Sequence, residues 1–364
     1  MSFLLTTLLP FLIVFSILVL VHELGHFFFA RMFGVEVEEF GLGIPPRIWG
    51  KKYKGTMYSI NAIPLGGFVR LLGEDGSEIE ETEEQVAKKK AGNFALKPIW
   101  QRAIILTAGV LMNFLLAWVL FTGLYQQGYL NSPKGLQVTQ VVEGSAAADA
   151  GILSNDVITK AVKSDGTSIS LPTLTDVIRA NPDELFTLSI LRDVETITFT
   201  LKPKLDEHKT PLIGVVLDFV KDETRHGVVE SIGAGLQTNF GLVSETFFML
   251  GKMVRTIFTT FAIPKEVTGP VGIIKITSDA AQLGLPALLY FMAIISVNLA
   301  VLNIMPFPAL DGGRLLVLGI EAVLRRKLPV KWEMAVHSTG FILLMIFIIA
   351  VTFQDITRIF FKAG

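Results

Sequence analysis

Cysteine is absent from the 364 residues. That excludes a secreted module stapled by disulfides. It also removes every thiolate nucleophile and every Cys-ligated zinc site, so a catalytic metal here must be held by His, Asp or Glu. An excess of either charge is missing as well. The 32 Lys and Arg against 33 Asp and Glu give a formal net charge of -1, which leaves no cationic surplus to neutralise a phosphate backbone and argues against nucleic acid as a partner. Charge of any kind is scarce, at 18% of residues against 51% hydrophobic, and the mean hydropathy is +0.55. An all-soluble protein of two or three domains is excluded, and much of the chain belongs in lipid.

A spanning helix needs roughly 20 apolar residues with few or no charges. Such windows occur at residues 3–21, 103–125, within 280–310, and at about 335–354. They predict spans at about 3–26, 103–125, 285–305 and 335–355. The first lacks a basic leading region and a small-residue cleavage site, so it reads as a retained helix rather than a signal peptide. Loop lysines and arginines set orientation. Residues 27–98 carry Arg31, Arg47, Lys51, Lys52, Lys54, Arg70, Lys88, Lys89, Lys90 and Lys97, whereas none precedes the first span. That loop is expected in the cytoplasm, with residues 126–279 outside and the basic loop 306–334 inside again.

Between the second and third spans, residues 135–204 alternate short β-branched runs with Gly, Asn, Asp and Pro turn signals, the pattern of a small module of strands and two short helices. The stretch 239–263 is apolar but contains Glu245, Lys252 and Arg255. It predicts an interfacial amphipathic helix rather than a fifth span, or alternatively a soluble helix packed on the module. The acidic run Glu78–Glu84 followed by Lys88–Lys90 reads as a solvated loop.

Two of the five histidines lie four residues apart around a glutamate, in His22-Glu23-Leu24-Gly25-His26. On a helix, positions i and i+4 share a face, so both imidazoles can address one zinc ion while Glu23 approaches the remaining coordination site. That arrangement suits a hydrolase in which the metal activates a water and the glutamate moves its proton to the leaving amine. Ionisable groups at membrane depth imply function by default. Two histidines do not complete a catalytic zinc site. His208 and His226 fall in the external segment and His337 begins the fourth span, all three reading as surface or interfacial residues. Asp311, before Gly312-Gly313 at the inner end of the third span, is the better third ligand, its alternative being a turn or N-cap aspartate.

Together these residues resemble the site-2 proteases, intramembrane zinc metalloproteases, and in particular their bacterial regulator-of-sigma-E protease branch. The likeness covers nearly the whole chain. His22–His26 is similar to the family's HExxH, and Asn303-Ile304-Met305-Pro306-Phe307-Pro308-Ala309-Leu310-Asp311-Gly312 to its NxxPxPxLDG motif. Asn61–Val69, with Gly66 and Gly67, is similar to a membrane-associated β-loop, and Thr268–Ile273 to the block before the third span. Ala108–Asn113 departs from the family's GPxxN, since Val110 stands where proline is usual. Residues 135–204 resemble a single PDZ domain through Val141–Ile152.

The resemblance implies Zn2+ held by His22, His26 and Asp311, with Glu23 as general base. Asn113, Asn303, Gly66, Gly67, Pro306 and Pro308 would position an extended substrate, although Asn113 could equally make a helix-to-helix hydrogen bond. The fold class expected is membrane α-helical: about four spans, a β-loop at about 36–72 and one inserted PDZ-like α+β domain. The boundaries are 1–134 for the N-terminal protease half, 135–204 for the PDZ-like domain, 205–279 for a linker with the amphipathic helix, and 280–364 for the C-terminal half. Expected substrates are single-pass membrane proteins, of the anti-sigma-factor and remnant signal-peptide classes, in the bacterial inner membrane. The active site would face the cytoplasm and the PDZ-like domain the outside, where it would bind a peptide terminus or merely occlude the active site. A catalytically silent membrane scaffold is the competing class.

Overall fold

The computed structural model describes residues 4–74, 92–130, 135–193, 195–205, 210–220, 227–260, 264 and 267–361. The acidic run Glu78–Glu84, Lys88–Lys90, His208 and His226 lie outside the described residues. The chain divides into two compact units, residues 1–124 with 229–364, and residues 125–228. In chain order, the first unit opens with α1 (Leu9–Met32), β1 (Val37–Tyr53), β2 (Thr56–Leu71) and α2 (Ile99–Gln126). The second unit holds β3 (Gly135–Val141), α3 (Ala146–Ala150), β4 (Val157–Lys163), β5 (Ser168–Ile169) and α4 (Leu174–Ala180). It continues through β6 (Phe186–Arg192), β7 (Glu195–Leu201), β8 (Lys204–Leu205), β9 (Pro211–Leu212) and β10 (Val215–Val220). The first unit then resumes with α5 (Val228–Thr260), α6 (Pro270–Gln282), α7 (Leu285–Ile304), α8 (Asp311–Leu324) and α9 (Val330–Phe361).

Among the described residues, four helices are long and apolar enough to cross a membrane, at residues 6–32, 99–126, 285–304 and 331–358, with mean hydropathies of 2.2 to 2.3. Their outward faces are apolar too. Ile13, Ile17 and Phe28 on α1 and Phe341, Ile346, Ile349 and Phe353 on α9 are exposed, the mark of helices meant for lipid rather than water. Helix α1 runs through the aromatic Phe27-Phe28-Phe29 to Met32 and ends where Gly34 takes a φ of +66°. Pro10 stands in its first turn, where a missing N–H costs nothing.

Strands β1 and β2 form a long antiparallel hairpin closed by Lys54-Gly55, both at positive φ, as a two-residue hairpin turn requires. The hairpin's base is buried. Val37 and Leu71 pack with Ala30 of α1, Ile105 and Leu106 of α2, and Leu318 of α8, which fixes β2 beside the end of α1. Nearer the middle of the spans, Val14 and Leu18 of α1 pack with Met292 of α7 and with Leu116 and Leu120 of α2. Helix α5 is one continuous element that begins well before residue 239. It packs on α2 and α7: Asn239 donates to the Phe114 carbonyl at 2.9 Å, the Trp118 indole to that of Ile232 at 3.0 Å, and Thr246 to the Asn298 amide oxygen at 2.8 Å.

In the second unit, an antiparallel sheet of order β10-β3-β4-β6-β7, with β5 paired to β4, wraps a core that includes Leu136, Val138, Ile158 and Leu174. Strand β6 shows the period of two that such a half-buried sheet demands: Phe186, Leu188 and Ile190 are buried and Thr187 and Ser189 are not. Helix α3 starts at Ser145, whose hydroxyl accepts the Ala148 N–H at 3.2 Å, and stops at Gly151 with φ +83°. The sheet does not end at residue 204. Strand β10 returns to pair with β3 from Val215 opposite Val141 to Val220 opposite Gly135, a long-range pairing that the intervening Pro- and Gly-bearing turns do not announce.

Candidate metal centre and active site

His22 and His26 lie one turn apart on α1, both buried, and Asp311 is the first residue of α8. A helix N-terminus favours a carboxylate, and the 305–310 turn aims this one at the two imidazoles. The Nε2 atoms of His22 and His26 stand 3.1 Å apart, and Asp311 Oδ2 lies 3.0 Å from the first and 3.3 Å from the second. Atoms bound tetrahedrally at 2.0–2.1 Å from zinc stand roughly 3.3 Å from one another, so this donor set has the spacing the metal needs. Among the described residues, no other group of three His, Asp or Glu side chains converges in this way.

The far side of each imidazole is also set. His26 Nδ1 donates to the Ile105 carbonyl at 2.8 Å, which leaves the Nε2 lone pair facing the centre. Behind His22 the amide of Asn113 stands 3.3 Å from Nδ1, and the Asn113 oxygen has no other partner. Turning that amide by 180° lets the oxygen accept an Nδ1 proton, which again frees Nε2 for a metal. Close approach makes this possible. A Cβ on Gly109 of α2 would overlap both imidazole rings, and one on Gly25 of α1 would meet the Ala108 carbonyl of α2, so the two helices meet through glycines.

Beside these groups opens a cavity of about 570 Å3, lined by Glu23, by Phe68 and Val69 of β2, by Leu106 of α2, by Arg314 of α8 and by Phe341 of α9. That volume suits a short stretch of peptide. Glu23 shares this cavity with the three candidate ligands. Gly67 brings β2 against α1 here: a Cβ at this position would lie 3.6 Å from Glu23 Cγ and 3.0 Å from the Gly41 carbonyl oxygen. Gly66 takes a φ of +85° with open space where a side chain would be.

The other residues singled out by sequence scatter. Asn113 is fully buried behind His22 and does not line the cavity. Asn303, half-buried next to the end of α7, is outside the lining too. Pro306 is exposed, and Pro308 packs under Gly340 of α9.

Three features were missed by sequence reasoning. His337, expected at a surface or interface, lines the cavity, and its Nδ1 accepts the Ala309 N–H at 3.1 Å. The available signal was an imidazole inside an apolar span, which is costly unless used. Arg314 pairs with Glu74 in the turn that follows β2. Arg102 at the start of α2 bonds Glu321 of α8 at 2.9 Å in a buried pair, and Glu321 also accepts the Leu328 N–H at 3.0 Å. No local pattern links residues that far apart in sequence.

The sequence matches the family model described as peptidase family M50 over residues 10–347. It is similar to a Clostridium perfringens protein that bears the name zinc metalloprotease, 38% identical over 353 residues and covering 95% of this chain and 97% of that one. It is also similar to the regulator of sigma-W protease of Bacillus subtilis, 29% identical, covering 97% and 99%. Of solved structures, the PDZ domain of the SdrC-like protein from Listeria innocua is 25% identical and covers 25% of this chain and 99% of that chain. Its TM-score of 0.20 adds nothing to the strand order described above.

Proposed function

Because the chain belongs to peptidase family M50 and is a zinc-dependent metalloendopeptidase of the site-2 protease group, we propose that it cuts peptide bonds within or beside the spans of single-pass membrane proteins. Anti-sigma-factor-like proteins and remnant signal peptides are the substrate classes, a reading supported by the similarity to a regulator of sigma-W protease. The observation that carries the proposal is the convergence of His22, His26 and Asp311 on a cavity walled by helices long enough to cross a membrane.

In this reading His22, His26 and Asp311 hold the zinc, which when bound supplies Lewis acidity toward a water and a carbonyl oxygen. Glu23 takes a proton from the attacking water as its oxygen bonds the carbonyl carbon, and gives it to the amine as the C–N bond breaks. A helical substrate hides its amides, so it must unwind before cleavage. Strand β2, which runs past Glu23 at Gly67, offers backbone groups to hold an extended segment by strand addition.

The site faces the cytoplasm. Support comes from the two basic loops, which meet on one side of the spans: Lys327, beyond α8, donates to the Ala95 carbonyl before α2 at 2.7 Å. The membrane is the bacterial inner membrane, with residues 135–204 outside as a PDZ-like module.

The test is cleavage of a single-pass protein co-reconstituted in vesicles, with products mapped by mass spectrometry. Wild type should cut in or next to the span, and Glu23→Gln should slow turnover at least about 100-fold with zinc retained. Cleavage confined to soluble loops would contradict the proposal.

A further inference from the structure

We propose that His337 is a catalytic residue whose Nε2–H donates to the scissile carbonyl oxygen as negative charge builds on it. The inference rests on the metalloprotease reading of the cavity given above. His337 lies in the last spanning helix, where an imidazole is expensive to keep. Its Nδ1 accepts the Ala309 N–H at 3.1 Å. A neutral imidazole with a lone pair on Nδ1 carries its proton on Nε2. That Nε2 is buried without a hydrogen-bond partner, although it belongs to a residue lining the same cavity as His22, Glu23, His26 and Asp311.

The placement is built rather than incidental. Gly340, one turn further along α9, has no Cβ where one would collide with Pro308, so the helix comes close enough for His337 to reach the turn. Ala309 is held at a φ of +83° and precedes Asp311 by two residues, a separation of at most about 7 Å along the chain. One backbone hydrogen bond therefore ties the orientation of His337 to the turn that delivers the candidate ligand.

The charged and imidazole groups around the cavity have roles of their own, and the Ser338 hydroxyl is on an exposed residue. Glu23 and Asp311 are acceptors, the Nε2 atoms of His22 and His26 point at the metal position, and Arg314 pairs with Glu74. Among the described residues lining the cavity, His337 offers the one buried donor with nothing to donate to. A peptide carbonyl supplies the missing acceptor, and it does so most strongly when attack has converted it to an oxyanion. The step is balanced without net proton transfer: the hydrogen bond shortens as the water oxygen bonds to carbon and relaxes when the C–N bond breaks and the carboxylate forms. The proton stays on Nε2 throughout.

The experiment uses the full chain in proteoliposomes with two variants. His337→Phe keeps a ring and loses the donor, and His337→Gln keeps an amide donor of similar reach. Zinc content, kcat and KM on a single-pass substrate, and affinity for a phosphinic peptide that mimics the tetrahedral state are measured for each. His337→Phe should retain zinc and hold KM within about threefold. Its kcat should fall about 100-fold or more, and its phosphinic-peptide affinity should fall in parallel, because the charged tetrahedral form uses the bond far more strongly than the neutral carbonyl. His337→Gln should recover part of both. Turnover of His337→Phe within about threefold of wild type, or a raised KM with kcat unchanged, would overturn the proposal. Loss of zinc or of folding in both variants would assign His337 a structural role and overturn it equally. An inert wild type, or zinc that persists when His22, His26 and Asp311 are replaced, would instead count against the metalloprotease reading itself.

Discussion

Asp311 in the membrane unit and Asp156 in the β-rich unit are both carboxylates withdrawn from water, and their surroundings differ in kind. Asp156 is met by the Arg192 guanidinium through two bonds of 2.8 Å and by the Leu153 N–H at 2.8 Å, so its charge and its lone pairs are satisfied within the protein. Asp311 is met by two imidazoles whose own lone pairs face the same point, with a cavity alongside. A satisfied buried ion pair holds strands in register. A set of lone pairs converging at metal-ligand spacing is arranged to hold a cation.

The comparison breaks most readily on the membrane side, where geometry leaves no slack. Gly109→Ala places a methyl group into both imidazole rings, so zinc occupancy should fall well below one per chain and proteolysis should drop by about 100-fold or more. Gly123→Ala on the same helix, with open space around it, should change neither and can add up to about 1 kcal/mol of helix stability. Equal behaviour of the two variants, read by metal analysis and cleavage assay, would show that the close α1–α2 approach is irrelevant to the centre.

On the other side, Arg192→Ala leaves Asp156 buried with only the Leu153 N–H. The β-rich unit should unfold about 4–8 °C lower, and amides of β4 and β6 should exchange faster, while proteolysis per folded molecule and zinc content stay unchanged. An effect on zinc would erase the distinction between the two carboxylates.

The smallest effect is on pH dependence. The Arg192 guanidinium, with the Leu153 N–H assisting and burial opposing, holds the Asp156 carboxyl below the usual carboxylate range. A depressed folded-state value means that the stabilisation is fully present above the unfolded value, about 3.9, and is lost as pH falls through the folded one. Exchange protection in β4 and β6 should therefore persist to below about pH 4 in wild type. In Arg192→Ala it should begin to fail at higher pH, and coincident acid profiles would refute the linkage.

Much of this was legible along the chain because it rests on local pattern. Charge-free windows become spanning helices since nothing but length and apolarity is required, and the His22–His26 spacing survives because one helical turn converts it into shared geometry. Asp311 was reachable through its motif. What escaped depends on pairings across the fold. Strand β10 returns to β3 after a turn-rich stretch, Arg102 finds Glu321, and His337 is drawn from an expected interface to the cavity by a backbone N–H at Ala309. Asn113, expected to position substrate or to bond a neighbouring helix, stands behind His22 rather than in the cavity, a matter of which face of α2 turns inward.

The most direct measurement is zinc per chain in wild type, Glu23→Gln and Asp311→Ala purified side by side from the same membranes, with cleavage assayed in each. A centre held by His22, His26 and Asp311 with Glu23 as base predicts about one zinc in the first two and a large loss in the third, with proteolysis confined to wild type. Stoichiometric zinc in Asp311→Ala, or undiminished cleavage by Glu23→Gln, would contradict it.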